Sequence, residues 1–147
     1  MIRFFIDTNV ILDWLIPTNT FHKDATAFIK KCFSGNAVAS VSSHSLTDIF
    51  YIARKYFSVE DRRRFLLLIV SNFQIISETT ADFQSVLNAS DFFDLEDGLQ
   101  IKCAEKEKLD FIVTENLKDF TDSKVSAISI SDALTKLSTD SNESNKI

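Results

Sequence analysis

The sequence predicts an α/β fold built on a central parallel sheet, and three observations carry that expectation. Short continuous apolar runs alternate with longer stretches of helical apolar period along 147 residues. Glycine occurs twice and proline once, too few for the turns of a β-sandwich or for a glycine-rich phosphate loop. No repeat or linker divides the chain, and its length suits a single domain over residues 1–137.

The first run, Arg3-Phe4-Phe5-Ile6, ends on Asp7 as a buried strand would. A first helix follows, with Trp14 packing near its end. A second helix over 23–33 turns Ala27, Phe28 and Ile29 inward and is ended by Gly35. Ala37-Val38-Ala39 reads as the second strand. Ser42-Ser43-His44-Ser45 then supplies capping oxygens for a helix whose apolar stripe is Leu46, Ile49, Phe50, Ala53 and Phe57. Ser58, with Asp61 three residues on, caps the next helix, whose body from Phe65 to Val70 is apolar nearly all round. Strands are expected at 73–76, 111–114 and 127–128, and helices at 80–87, 95–108 and 132–137. From Ser138 to Ile147 the chain is almost wholly polar and is expected to be a disordered tail.

Composition narrows the function classes. Sixteen basic residues against 21 acidic ones give a net charge of −5, which disfavours a broadly cationic nucleic-acid binder but not a local basic patch. Cys32 and Cys103 lie far apart with no neighbouring cysteine, and read as buried thiols in a reducing compartment. Asp7 interrupts the N-terminus before a signal-peptide core can form, and the longest apolar run is far too short to cross a bilayer. A soluble, cytoplasmic protein is expected. Arg62-Arg63-Arg64 reads as a solvated helix face, and His22 and His44 lack partners at ligand spacing, so neither is assigned to catalysis.

Several acids could carry chemistry. Asp7 sits at a strand tip, where it could equally cap the following helix. Asp94, Glu96 and Asp97 open a helix, where the dipole alone favours acids. Asp97 shares a face with Ile101 and Ala104, at the head of an inward stripe, whereas Glu96 shares one with Gln100 and Glu107 and reads as solvated. Asp48 begins another helix, off its apolar stripe. Asn116 and Asp119 follow the most strand-like run. Together these positions could meet at one rim of a parallel sheet. Carboxylates about 4 Å apart repel by roughly 4 kcal/mol at an effective dielectric of about 20, so such a rim asks for a cation. Oxygen ligands without nearby His or Cys favour Mg²⁺ or Mn²⁺, a setting for phosphodiester hydrolysis. A different phosphotransfer chemistry, with Asp7 as nucleophile, would need an acid at position 9, which is Asn9.

Three segments also resemble a known family. Phe5-Ile6-Asp7-Thr8-Asn9-Val10-Ile11-Leu12-Asp13 resembles the opening strand of PIN domains. Asp94-Leu95-Glu96-Asp97-Gly98-Leu99-Gln100 is similar to their acidic helix start, and Phe111-Ile112-Val113-Thr114-Glu115-Asn116-Leu117-Lys118-Asp119-Phe120 to one of their strands and the loop after it. The matches run in order from residue 3 to about 130. The resemblance implies a three-layer α/β/α sandwich around a five-stranded parallel sheet, and a metal-dependent endoribonuclease of the VapC toxin type. It further implies an antitoxin partner and a homodimer. The family's acidic positions fall on Asp7, Asp48 and Asp97, and its fourth on Asn116, with Asp119 three residues later. Asp7, Asp97 and Asp119 would hold the Mg²⁺ or Mn²⁺. Two departures stand out: Asp48 is one methylene shorter than the Glu more common there, and Asn116 is neutral where toxins often carry Asp. They motivate the alternative of a degenerate PIN domain that binds RNA or protein without cleaving. With Asp7, Asp48, Asp97 and Asp119 assigned to the site, 17 acids face 16 bases elsewhere, so the acidity no longer argues against RNA.

Overall fold

Five short strands form one all-parallel sheet in a computed structural model that describes the backbone of residues 1–144 and the side chains of residues 1–140. They are β1 (Arg3–Ile6), β2 (Val38–Ser42), β3 (Gln74–Ile76), β4 (Phe111–Val113) and β5 (Ser126–Ile128), in spatial order β3-β2-β1-β4-β5. β1 is central, with Phe5 opposite Ser40 on one side and Ile112 on the other. The helices are α1 (Thr8–Leu15), α2 (His22–Phe33), α3 (Ser43–Ile52), α4 (Val59–Asn72), α5 (Thr80–Asn88), α6 (Leu95–Lys106) and α7 (Ile130–Ser144). Single 3-10 turns lie at Ala53–Lys55 and Leu117–Phe120.

Phe4, Phe5 and Ile6 are all fully buried, as a strand covered on both faces requires. Their alternation divides the interior. Phe4 and Ile6 join a larger core with Val10, Ile11, Phe28, Ile29 and Leu137, from α1, α2 and α7. Phe5 faces a smaller one with Cys103, Ala104, Ile112 and Phe120, under α6. The three expected layers follow from this two-sided burial.

Local signals place most elements as expected. Ser58 Oγ accepts from the Asp61 N–H at 3.2 Å, and Gly35 takes φ 84° just past α2. Arg63 and Arg64 pair with Glu60 and Asp61 on an exposed face. Three differences are informative. The inner face of α2 is Ala25, Phe28, Ile29 and Cys32, the i, i+3, i+4, i+7 set, so Ala27 points outward. β2 runs on from the expected 37–39 through Ser40, Val41 and Ser42; Ser40 Oγ donates to Gln74 Oε1 at 3.3 Å and Ser42 Oγ lies 3.1 Å from Ser45 Oγ. α7 continues to Ser144 where a disordered tail is expected from Ser138. Ala133 and Leu137 anchor it, and the Ser138 and Thr139 hydroxyls are satisfied within the helix by donating back to the carbonyls of Leu134 and Thr135. Residues 145–147 of that expected tail lie outside the described residues.

Candidate functional site

An open parallel sheet leaves a crevice where successive connections depart in opposite directions, at the carboxyl ends of its strands. Here that point lies between β1 and β4. Asp7 follows β1 and Thr114 follows β4, and the Asp7 N–H donates to Val113 O at 3.0 Å.

The Asp7 side chain is 3% exposed and fully engaged. Thr114 Oγ1 donates to its Oδ2 at 2.8 Å, and Gln100 Nε2 donates to its Oδ1 at 3.1 Å. Gln100 Oε1 in turn accepts from the Thr8 N–H at 3.1 Å, and Thr114 Oγ1 accepts from the Asn116 N–H at 2.9 Å. Burial raises the Asp7 pKa above the ordinary carboxylate value, the two side-chain hydrogen bonds oppose that rise, and the charge of Asp119 adds to it.

Asp97 sits in the first turn of α6, where its N–H donates to the N-cap carboxylate of Asp94 at 2.9 Å. Its carboxyl is pushed up to about 7, first by partial burial and then by the charges of Asp94, Asp119, Asp7 and Glu96. Asp119 is exposed on the 3-10 turn after β4. Asp94, Asp97 and Asp119 line one cleft of about 680 Å³, whose wall also carries Lys102 and Lys118.

Asp48 keeps different company. On α3, it stands one turn after His44, and the two meet Glu96 from α6: one ring nitrogen of His44 and one carboxylate oxygen from each acid lie within 4.8 Å of one another. Glu96 therefore does not sit on the purely solvated face that its helical spacing suggests. Burial and then the charge of Asp48 raise its pKa. Asn116 lines a second cleft, of about 380 Å³, with Asn9, Asp13 and Glu115. Asp7, Asp97 and Asp119 are in electrostatic reach of one another, Asp48 lies beside Glu96 and His44, and Glu96 joins the two sets because its charge also reaches Asp7 and Asp97, while Asn116 is tied to Thr114 through its backbone.

Among the described residues, no ion pair involves Asp7, Asp48, Asp97 or Asp119. Burial and neighbouring carboxylates raise the pKa of Asp7 and of Asp97, and neither forms an ion pair, an environment that a divalent cation fits. The hard oxygen donors of Asp7, Asp97 and Asp119 suit Mg²⁺ or Mn²⁺. Gln100 is the support of Asp7 that the sequence does not single out, since its only local signal is polarity at a buried position of α6 and its partner lies 93 residues away.

A family model described as PIN domain matches residues 3–118. Among solved structures, the chain is similar to VapBC2 from Rickettsia felis bound to a DNA fragment from their promoter, with TM-score 0.63 and 17% identity over 87% of this chain and 98% of that one. It is similar to VapC20 of Mycobacterium tuberculosis, described as a sarcin-ricin loop cleaving toxin, with TM-score 0.62 and 12% identity over 74% and 86% of the chains. A toxin–antitoxin complex from Klebsiella pneumoniae gives TM-score 0.62 and 22% identity over 86% and 96%. No curated protein matches the sequence. At these identities the structural likeness is one of fold.

Proposed function

The chain belongs to the PIN domain family, and on that premise we propose that it is a Mg²⁺- or Mn²⁺-dependent endoribonuclease, the toxin of a toxin–antitoxin pair acting in the cytoplasm. The reading rests on the electrostatic reach among Asp7, Asp97 and Asp119 near the sheet's switch point, none of which forms an ion pair among the described residues. The naming of one structural neighbour as a sarcin-ricin loop cleaving toxin, and of another as a toxin–antitoxin complex, supports the choice of RNA as substrate and of an antitoxin as partner.

Asp7, Asp97 and Asp119 would hold the ion, with Asp48 holding a second ion or orienting the attacking water, and Asn116 offering a neutral oxygen to complete the shell. A divalent cation in this position supplies a nucleophilic water near neutral pH and offsets the charge that develops on a phosphodiester during in-line attack. The chain's own residues do the rest. Gln100 and Thr114 donate to the two Asp7 oxygens and fix the carboxylate's direction. Asp97, whose carboxyl is pushed up to about 7, would hold the ion as a carboxylate, so that a proton competes with it below that pH. Lys102 and Lys118 place ammonium groups on the wall of the same cleft, where an RNA backbone would pass. Among the described residues, no helix is long and apolar enough to cross a membrane.

Cleavage of RNA in the presence of Mg²⁺ or Mn²⁺ tests the reading. Asp7→Asn and Asp97→Asn each lower the rate by at least ~100-fold if these carboxylates hold the ion. Full activity in both variants would overturn it. The second reading, a binding module without cleavage, draws on the shorter Asp48 and on the place of Asn116 in the other cleft. RNA binding that needs no divalent ion, with no cleavage at any Mn²⁺ concentration, would establish that alternative.

A further inference from the structure

We propose that His44, Asp48 and Glu96 form a second cation site, one that takes a transition-metal ion through a histidine nitrogen beside the all-oxygen group of Asp7, Asp97 and Asp119. The three ligand atoms lie within 4.8 Å of one another, close enough to share one ion. His44 and Asp48 are i and i+4 on α3 and so lie on one face, and Glu96 comes to them from the first turn of α6.

The orientation of His44 is the second, independent observation. Its Nδ1 lies 2.5 Å from Glu78 Oε1, just beyond the end of β3. Glu78 also accepts the His44 N–H at 3.3 Å and the Ser43 hydroxyl. A carboxylate that holds the Nδ1 proton leaves the ring's lone pair on Nε2. That Nε2 is buried and has no hydrogen-bond partner, an arrangement folded proteins seldom leave unexplained. A carboxylate on one ring nitrogen and an unpaired second nitrogen is the arrangement that presents histidine to a metal, and a ring nitrogen of His44 lies within 4.8 Å of an oxygen of each acid.

The donor set also says which ions belong. One imidazole with two carboxylates prefers Mn²⁺ over Mg²⁺, and Zn²⁺ over Mn²⁺. The site deepens the nuclease reading by giving Asp48 an ion of its own. It rests on that reading only for the second ion's part in cleavage, and ion binding stands apart from it.

The full chain loaded with stoichiometric Mn²⁺ is read by electron spin-echo envelope modulation, which detects nitrogen bound to the metal. An imidazole coupling is expected in the native protein. It persists in Asp7→Asn and in His22→Gln, the variant of the chain's other histidine, and disappears in His44→Gln. Glu78→Gln, which keeps the shape of the orienting side chain, weakens Mn²⁺ binding at the nitrogen-coupled site by roughly 10–100-fold. A measurement on the unaltered chain covers the case in which His44→Gln fails to fold: added Zn²⁺ displaces the nitrogen-coupled Mn²⁺ before the Mn²⁺ bound by oxygen alone. Absence of nitrogen coupling in the native protein, its survival in His44→Gln, or the opposite order of displacement overturns the site whether or not RNA is cleaved. Nitrogen coupling without any RNA cleavage leaves the site standing and removes the nuclease reading.

Discussion

The Thr114 hydroxyl donates to Asp7 and accepts from the Asn116 N–H, so one oxygen ties the tip of β1 to the loop after β4. Thr114→Val keeps the shape and loses both bonds, leaving a buried carboxylate oxygen unpaired. A loss of about 1–3 kcal/mol is expected in urea denaturation, with Thr114→Ser recovering most of it. Asp97 makes a prediction about pH. Its pKa of about 7 in the folded protein lies above the usual 3.8, so the folded state binds a proton that the unfolded state has released. The ion-free protein is therefore favoured at low pH, and that contribution is lost as pH rises from about 4 through about 7. Asp97 is half-buried, so solvent screening reduces the effect to about 1 kcal/mol. Asp97→Asn flattens the profile of melting temperature against pH over that window, and native Mg²⁺ affinity falls as pH drops below about 7 because a proton competes. A native profile already flat, or one rising with pH, would exclude this role. The places of Asp7 after β1 and of Asp97 in the first turn of α6 are legible in the sequence, because a strand tip and a helix start are local signals. The His44–Glu78 contact is not, because 34 residues separate the pair and nothing in either neighbourhood names the other.

At the scale of elements, α6 brings Glu96, Asp97 and Gln100 to the site, and Gly98 sets how closely it lies on α5. A Cβ at Gly98 would come 2.5 Å from Val86 Cγ1, a short β-branched side chain with little room to turn. Alanine would gain about 1 kcal/mol of helix propensity, yet the overlap forces the helices apart. Gly98→Ala is therefore expected to destabilise by about 1–3 kcal/mol. Adding Val86→Ala relieves the overlap, so the double variant should regain part of the loss in a double-mutant cycle; strict additivity would show that the two positions do not press on each other. A similar tertiary override explains the elements that local reading misjudged. β2 takes in Ser40 and Ser42, whose hydroxyls find side-chain partners there, and α7 runs past its apolar stripe with the Ser138 and Thr139 hydroxyls bonded within the helix. In both, local polarity gave no sign of where the hydroxyls would be satisfied.

At the scale of the whole molecule, the apolar run from Phe65 to Val70 has two destinations. Ile69 is fully buried and Phe65 and Leu66 pack on the larger core, whereas Leu67, Leu68 and Val70 face outward. Tyr51 and Tyr56, on α3 and just beyond the turn after it, are exposed as well. Exposed apolar side chains of this size on neighbouring helices, which pack on each other, suit a partner surface better than solvent. The expected partner is a second copy of the chain, and a stable pair needs roughly 1,200–2,000 Å² of buried surface in total. Leu67, at 60% exposure, is the position to test, because it contributes least to the protein's own core. Leu67→Glu should leave thermal stability of the subunit within about 0.5 kcal/mol, as surface changes do. In light scattering at micromolar concentration the native chain should have the mass of a dimer and the variant that of a monomer. A buried like charge on each side of the symmetry axis is what separates them. A native monomer would remove homodimerisation and leave the α3–α4 face to the antitoxin, in which case Leu67→Glu should weaken antitoxin capture while RNA cleavage by the free chain is unchanged.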